Sequence, residues 1–184
     1  MNNVISSLKG IFLLMAISVL SINSAQAASS VEIDIEVEAA IKRFKVEVTG
    51  SEKFLAKAEG VLVFPDVVKA GFGIGGEYGE GALLIKGKTV DYYSTAAASI
   101  GFQLGAQFKT VMMVFLKKDA LNKFRKSSGW EAGVDGSVAL IELSAAKDIN
   151  SINYEDPIVG FVFSNKGLMY NLTLEGSKIT KLNK

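Results

Sequence analysis

The chain has 184 residues, with 20 Lys and Arg against 19 Asp and Glu, and it contains neither cysteine nor histidine. A net charge this close to zero supplies no global field toward nucleic acid or an anionic surface, so any such attraction has to come from a local patch. The two missing residue types exclude disulfides, thiolate–imidazole catalysis, Ser-His-Asp triads and the usual zinc and copper ligand sets.

The first residues read as an export signal. Lys9 gives a basic start, Ile11 to Leu20 is a short apolar run, and Ala25-Gln26-Ala27 is a small-x-small site, so cleavage is expected after Ala27. A membrane span needs about 20 predominantly apolar residues. Here Ser21, Asn23, Ser24 and Gln26 interrupt the run first. With no cysteine after it, a lipid-modified amino terminus of the bacterial lipoprotein kind is excluded. Residues 28–184 are expected to form one domain, periplasmic or secreted, and losing Lys9 brings its formal charge to zero.

Ile33, Val37, Ala40, Ile41, Phe44 and Val48 recur at helical spacing, which predicts a helix over about 33–48, broken by Thr49-Gly50. Ser51 is a plausible N-cap for a second short helix with Phe54, Leu55 and Ala58, closed by Gly60. From Val61 short apolar runs alternate with glycine-rich turns, the pattern of an antiparallel sheet. Val61 to Phe64 reads as a strand stopped by Pro65-Asp66. Ala70, Phe72 and Ile74 share one face of the next. Glu80–Lys86 and Thr89–Tyr93 read as a hairpin about Gly87-Lys88. Residues 99–108 alternate strictly, and Val111 to Leu116 is a continuous apolar run fit for a central strand. Asp119 can cap a helix with Ala120, Leu121 and Phe124 facing inward, ended by Gly129. Trp130 to Leu143 reads as two strands turning at Asp135-Gly136, and Ile158–Phe163 with Leu168–Leu174 as a hairpin around Asn165-Lys166-Gly167. The expected fold class is α+β: a curled, barrel-like antiparallel sheet, with two N-terminal helices and one helix inserted between strands, the helices on one side.

Chemistry-bearing motifs are sparse. Gly71-Phe72-Gly73-Ile74-Gly75-Gly76 formally contains G-x-G-x-x-G, but a dinucleotide site needs a strand before it and a helix opening from it. Another strand pattern follows, so these glycines are read as bends or close approaches. Glu77, Glu80, Asp91, Glu142, Glu155 and Asp156 are scattered, with no pairing evident in their spacing. Asn171-Leu172-Thr173 fits a glycosylation sequon and is read as incidental. The small polar face Ser99, Gly101, Gln103, Gly105, Gln107 can line a groove or mark a close approach of layers. The strongest local patch is basic: Lys117, Lys118, Lys123, Arg125 and Lys126 lie within ten residues holding one acid, Asp119. They are the candidate lipid-binding residues, with Phe124 and Trp130 adjacent, against the alternative of a solvated helix face. Lys178, Lys181 and Lys184 can extend the patch. Lys42, Arg43 and Lys45 are diluted by Glu36, Glu38 and Glu47.

Four stretches in order, Gly60-Val61-Leu62-Val63-Phe64-Pro65, Gly71 through Gly81, Ser99 through Gln107, and Lys166-Gly167-Leu168-Met169 followed by Leu174-Glu175-Gly176-Ser177, resemble the SYLF-domain family of bacterial exported proteins and eukaryotic endocytic adaptors. The resemblance runs from Ile33 to Leu182. It implies lipid binding: eukaryotic members bind phosphoinositide membranes through an amphipathic leading helix and basic residues, and some bind actin. Here an export signal takes the place of that leading helix, so the implication carried over is a general tendency to bind lipid.

Composition, patch and resemblance together give a non-catalytic exported protein of the bacterial envelope that binds anionic phospholipid or the membrane surface, with no cofactor, no metal and no nucleic-acid partner. An envelope structural or protein-interaction module, self-association included, is the alternative, since glycine-rich sheet edges can pair with another chain. A hydrolase using carboxylates or a Ser-Lys dyad is the third reading.

Overall fold

The computed structural model describes residues 28–142, 149, 155–166 and 176–184, with backbone only at 71–74, 99–106, 142 and 164–166. The expected export signal, the strand expected over 168–174, the sequon and most of the small polar face lie outside the described residues or side chains.

Helix α1 spans Ser30–Glu47. Ser29 starts it with a capping box: Glu32 N donates to Ser29 Oγ (3.2 Å) and Ser29 N donates to the Glu32 carboxylate (2.7 Å). Donation to the Glu32 carboxylate from Ser29 N, and from Ser29 Oγ at 2.9 Å, holds that carboxyl below the usual range. Ile33, Val37, Ala40 and Phe44 form its buried stripe, as the spacing predicts. Helix α2 spans Ser51–Leu55, and its N-cap is Gly50 at φ 84°, not Ser51. Ser51 is the first helical residue, buried, and its hydroxyl donates back to the Lys45 carbonyl at 3.3 Å.

The strand segments expected between 61 and 116 are two long strands, β1 (Gly60–Ile85) and β2 (Lys88–Phe115). They pair antiparallel along their whole length. Pro65-Asp66 does not stop β1; register shifts lie between Phe64 and Val67 and between Gly71 and Gly73. A bulge absorbs the proline, which has no N–H to give the ladder. The hairpin turns at Lys86-Gly87, one residue earlier than expected, with φ of 52° and 74°. Positive φ at both central residues is the type I′ geometry that matches strand twist.

The long hairpin doubles back on itself. Lys69 Nζ lies 3.3 Å from Glu77 Oε1, although eight residues of straight strand would span about 26 Å. The second leg crosses the first so closely that a Cβ on Gly81 would stand 2.0 Å from the Val63 carbonyl oxygen, and one on Gly79 would stand 2.8 Å from that of Asp66. Here the glycines serve close backbone approach, and no helix opens after 71–76, so the context of a dinucleotide loop is missing.

Helix α3 spans Lys118–Lys126, entered from Lys117 with no side-chain cap. Asp119 sits in its first turn rather than at the cap, and Ser127 rather than Gly129 closes it. Four shorter strands complete the sheet: β3 (Trp130–Glu131), β4 (Ala139–Glu142), β5 (Ile158–Lys166) and β6 (Lys178–Leu182). The path is β3-β6-β2-β5-β4, with β1 on β2, and the sheet curls into a half-barrel. β3 and β4 do not pair with each other: β3 joins β6, and β4 runs parallel to β5, the one parallel pair in this described sheet.

Both faces of the sheet are buried, which corrects the expectation of helices on one side. Leu62, Phe64, Val111, Met113, Phe115, Ile158 and Val162 point into one core with Leu121 and Phe124 of α3. Their neighbours Val63, Met112, Val114, Val159, Phe161 and Phe163 point into the other, with α1 and α2. A continuous apolar run such as Val111–Phe115 is what a strand covered on both faces needs. Phe44 and Phe54 meet Phe161 edge-on in one core (centroids 4.7 and 5.6 Å), and Phe124 meets Tyr93, Phe115 and Trp130 in the other (5.0, 5.0 and 5.6 Å).

Candidate functional site

The amphipathic character of α3 sets the site. Leu121 and Phe124 bury one face, and the other carries the cations. Phe124 and Trp130 are 1% and 2% exposed, so they belong to the core and offer no aromatic contact to a surface ligand. The five predicted cations are all exposed but not equivalent. Arg125 donates from Nε and Nη2 to Asp91 Oδ2 at 3.2 and 3.1 Å, and Lys123 Nζ donates to the Asp135 carbonyl at 3.1 Å. Lys117, Lys118 and Lys126 have no partner among the described residues.

Strand β6 brings further charge to the same place. Lys181 Nζ reaches the other oxygen of Asp91 at 2.5 Å, so one carboxylate ties β2, α3 and the C-terminal strand together. Lys178 lies against Gly129, just past the end of α3, where a Cβ would be 3.0 Å from its Cε. Cations more than fifty residues apart thus share one surface. Lys178 and Lys181 are strand residues here. Lys184 goes elsewhere, donating to the Ala28 carbonyl and pairing with Glu80 Oε2 at 2.7 Å.

Three of the carboxylates considered for catalysis, Asp91, Glu80 and Glu77, are paired with cations. Asp91 holds Arg125 and Lys181, and Glu80 holds Lys184 and accepts from the Tyr78 hydroxyl at 2.8 Å. Glu77 sits between Lys109 (2.5 Å) and Lys69 (3.3 Å) in a nearly buried triad. These arrangements neutralise carboxylates and converge on no cavity. Burial pushes the Tyr93 phenol up to about 12, with Asp91 adding to the effect. Its hydroxyl has no hydrogen-bond partner among the described residues. No group of three or more acidic residues able to hold a metal occurs among the described residues.

A cavity of about 380 Å3 opens between α1, α2 and the hairpin turn, walled by Ile41, Leu55, Val61 and Leu84 with the exposed Lys45, Glu52 and Lys86. Its apolar floor suits an apolar group, and its charged side chains diverge in sign. No helix among the described residues is long and apolar enough to cross a membrane.

The family model described as "Ysc84: Las17-binding protein actin regulator" matches residues 96–184. Over residues 96–184 the chain is thus similar to the SYLF-domain family that its sequence motifs resemble. The match takes in the second leg of β2, α3 and every strand after it, which is the part of the chain that carries the cations. The matched segment is not a separate layer, because β2 pairs throughout with β1, which precedes the match. No curated protein matches the chain.

Proposed function

We propose that the protein is a non-catalytic lipid-binding protein that docks on anionic membrane surfaces through the outer face of α3, and that it works in the bacterial envelope after removal of residues 1–27. One observation carries the reading: Lys117, Lys118, Lys123, Arg125, Lys126, Lys178 and Lys181 lie around one helix and the neighbouring strand, and outnumber the acids beside them, Asp91, Asp119, Glu131 and Asp135. Three of these cations, Lys117, Lys118 and Lys126, have no partner to surrender among the described residues. At about 1 kcal/mol per basic residue near an anionic leaflet, Lys117, Lys118 and Lys126 together supply about 3 kcal/mol, roughly a hundredfold in partitioning. The likeness of residues 96–184 to a family described by a binding function supports a binding role over a catalytic one.

The test is co-sedimentation of the purified protein with phosphatidylglycerol–cardiolipin vesicles and with phosphatidylcholine vesicles, at low and high salt. The expected result is pelleting with anionic vesicles only, weakened by salt and lowered at least tenfold by the double change Lys118→Glu and Lys126→Glu. Both residues are exposed, so the variant should fold. Equal pelleting of wild type and variant overturns the reading.

A further inference from the structure

Helix α1 carries a second apolar stripe on the face turned away from the core. Val31, Ile35 and Val46 are 66%, 63% and 80% exposed. With Ala39 and Lys42, also exposed, they fall at spacings of 4, 4, 3 and 4, one continuous line along a helix about 27 Å long. Scattered exposed apolar residues are ordinary, but a line of them opposite the buried stripe is the seam of a helix that packs twice.

The charges beside the seam are segregated. The exposed Glu32, Glu36 and Glu38 occupy the first half of α1 and the exposed Lys42 and Lys45 the second, with Glu47 at the end, while Asp34 turns inward to Thr89 and Tyr92 and Arg43 to Thr110. Five acids against three bases make the helix net negative, which disfavours an anionic membrane as its occupant. In a parallel pair of copies, like halves would meet. Antiparallel pairing sets the acidic half of each copy against the basic half of the other, and two-fold symmetry makes that match twice. The midpoint between Val31 and Val46 falls at Glu38-Ala39, so the small Ala39 lies at the crossing, where it allows the axes to approach to about 8 Å. Val31 then meets Val46 across the pair, and the stem of Lys42 covers Ile35 while its ammonium reaches toward Glu38. Glu36 is already held above the usual carboxylate range by partial burial and by Asp66 and Glu32, an acidic crowding that a partner's cations relieve.

We infer that α1 is a self-association surface, on which two copies of this chain pair antiparallel through Val31, Ile35, Ala39, Lys42 and Val46. A single helix face buries less than a standard interface of about 800 Å2 per partner, so the dimer is weak and forms at micromolar concentrations or above. This inference stands apart from the lipid reading, since α3 lies on the other face of the sheet.

The experiment is sedimentation-velocity and light-scattering mass over a concentration series, without lipid. Wild type should shift from monomer to dimer, and Ile35→Glu should weaken association at least tenfold with an unchanged unfolding midpoint. The single variants Glu38→Lys and Lys42→Glu should each associate poorly, because like charges then face each other. Mixed in equal amounts they should regain wild-type association, since each supplies the charge the other lacks. A monomer at every concentration overturns the inference, as does self-association indifferent to Ile35→Glu, or single variants that fail to rescue each other. Vesicle binding lost in Ile35→Glu while the wild type stays monomeric also overturns it, and gives the stripe to the membrane.

Discussion

Replacing Gly81 by alanine tests the crossing that shapes the sheet. The new methyl would lie 2.0 Å from the Val63 carbonyl oxygen and 2.8 Å from Phe64 Cδ1, where ordinary contact begins at 3.4 Å. The obstacle at Val63 is backbone paired with Met112 in the β1–β2 ladder, so it cannot rotate aside as a side chain would. Overpacking a core costs about 1–3 kcal/mol, and a clash with fixed backbone belongs at or above the top of that range. With a urea slope of about 2 kcal/mol/M, a loss of about 3 kcal/mol lowers the unfolding midpoint by about 1.5 M. Gly76 is the control. A Cβ there meets only Ala97 O at 3.6 Å, and its φ is not positive. Gly76→Ala should therefore gain about 0.4–1 kcal/mol by restricting the unfolded chain, a rise of a few tenths molar. Equal midpoints for the two variants would refute the crossing, and with it the account of why this stretch is rich in glycine.

Glu77→Gln should destabilise by about 3 kcal/mol in thermal unfolding, because it strands Lys69 and the 7%-exposed Lys109 beside each other. Replacing Glu77 and Lys109 together by Leu and Met should recover most of the loss. A Glu77→Gln variant as stable as wild type would mean that solvent already serves both lysines. Tyr93 should govern an alkaline transition. Its folded value, about 12, is raised above the ordinary 10, so its contribution is whole below pH 10 and is lost as pH rises toward 12. At 1.36 kcal/mol per unit the loss is on the order of 2–3 kcal/mol. Tyr93→Phe should remove that loss, read as midpoint against pH, and cost little at pH 7 because the hydroxyl has no partner to lose.

Much of the helical part was legible because its code is local. The Ile33–Val48 spacing gives α1, and Ser29 with Glu32 three residues on writes out its start. The sheet was legible in kind but not in path. Glycine and proline interrupt the apolar pattern over 61–116 identically whether the chain reverses or only bends, and here it bends, so several predicted strands are two. The second face of the sheet was written in Val111–Phe115, yet which helix covers it depends on where the chain goes after Phe115. The cation cluster was half legible. Lys117–Lys126 is contiguous, whereas Lys178 and Lys181 join it only because β6 pairs with residues 92–96 of β2. The Lys69–Glu77–Lys109 triad had no signal at all, since its members meet only after the hairpin folds over.

Burial on both faces of the sheet has a consequence for function. The helices that cover it must themselves turn an outer face to solvent, and the chain treats those two outer faces differently. On α3 the outer face is cationic and has almost no apolar content, which suits a headgroup layer and repels a second copy. On α1 it is an apolar line flanked by opposite charges in opposite halves, which suits a second copy and is net negative toward an anionic membrane. Because the sheet and two separate cores lie between them, substitutions on one outer face share no partner with the other and should act additively. A pair joined through α1 keeps both α3 faces uncovered. Two weak cationic patches on one particle then bind a membrane by effective concentration, provided the geometry lets both touch one surface. That requirement ties a weak dimer to a modest patch without any further contact.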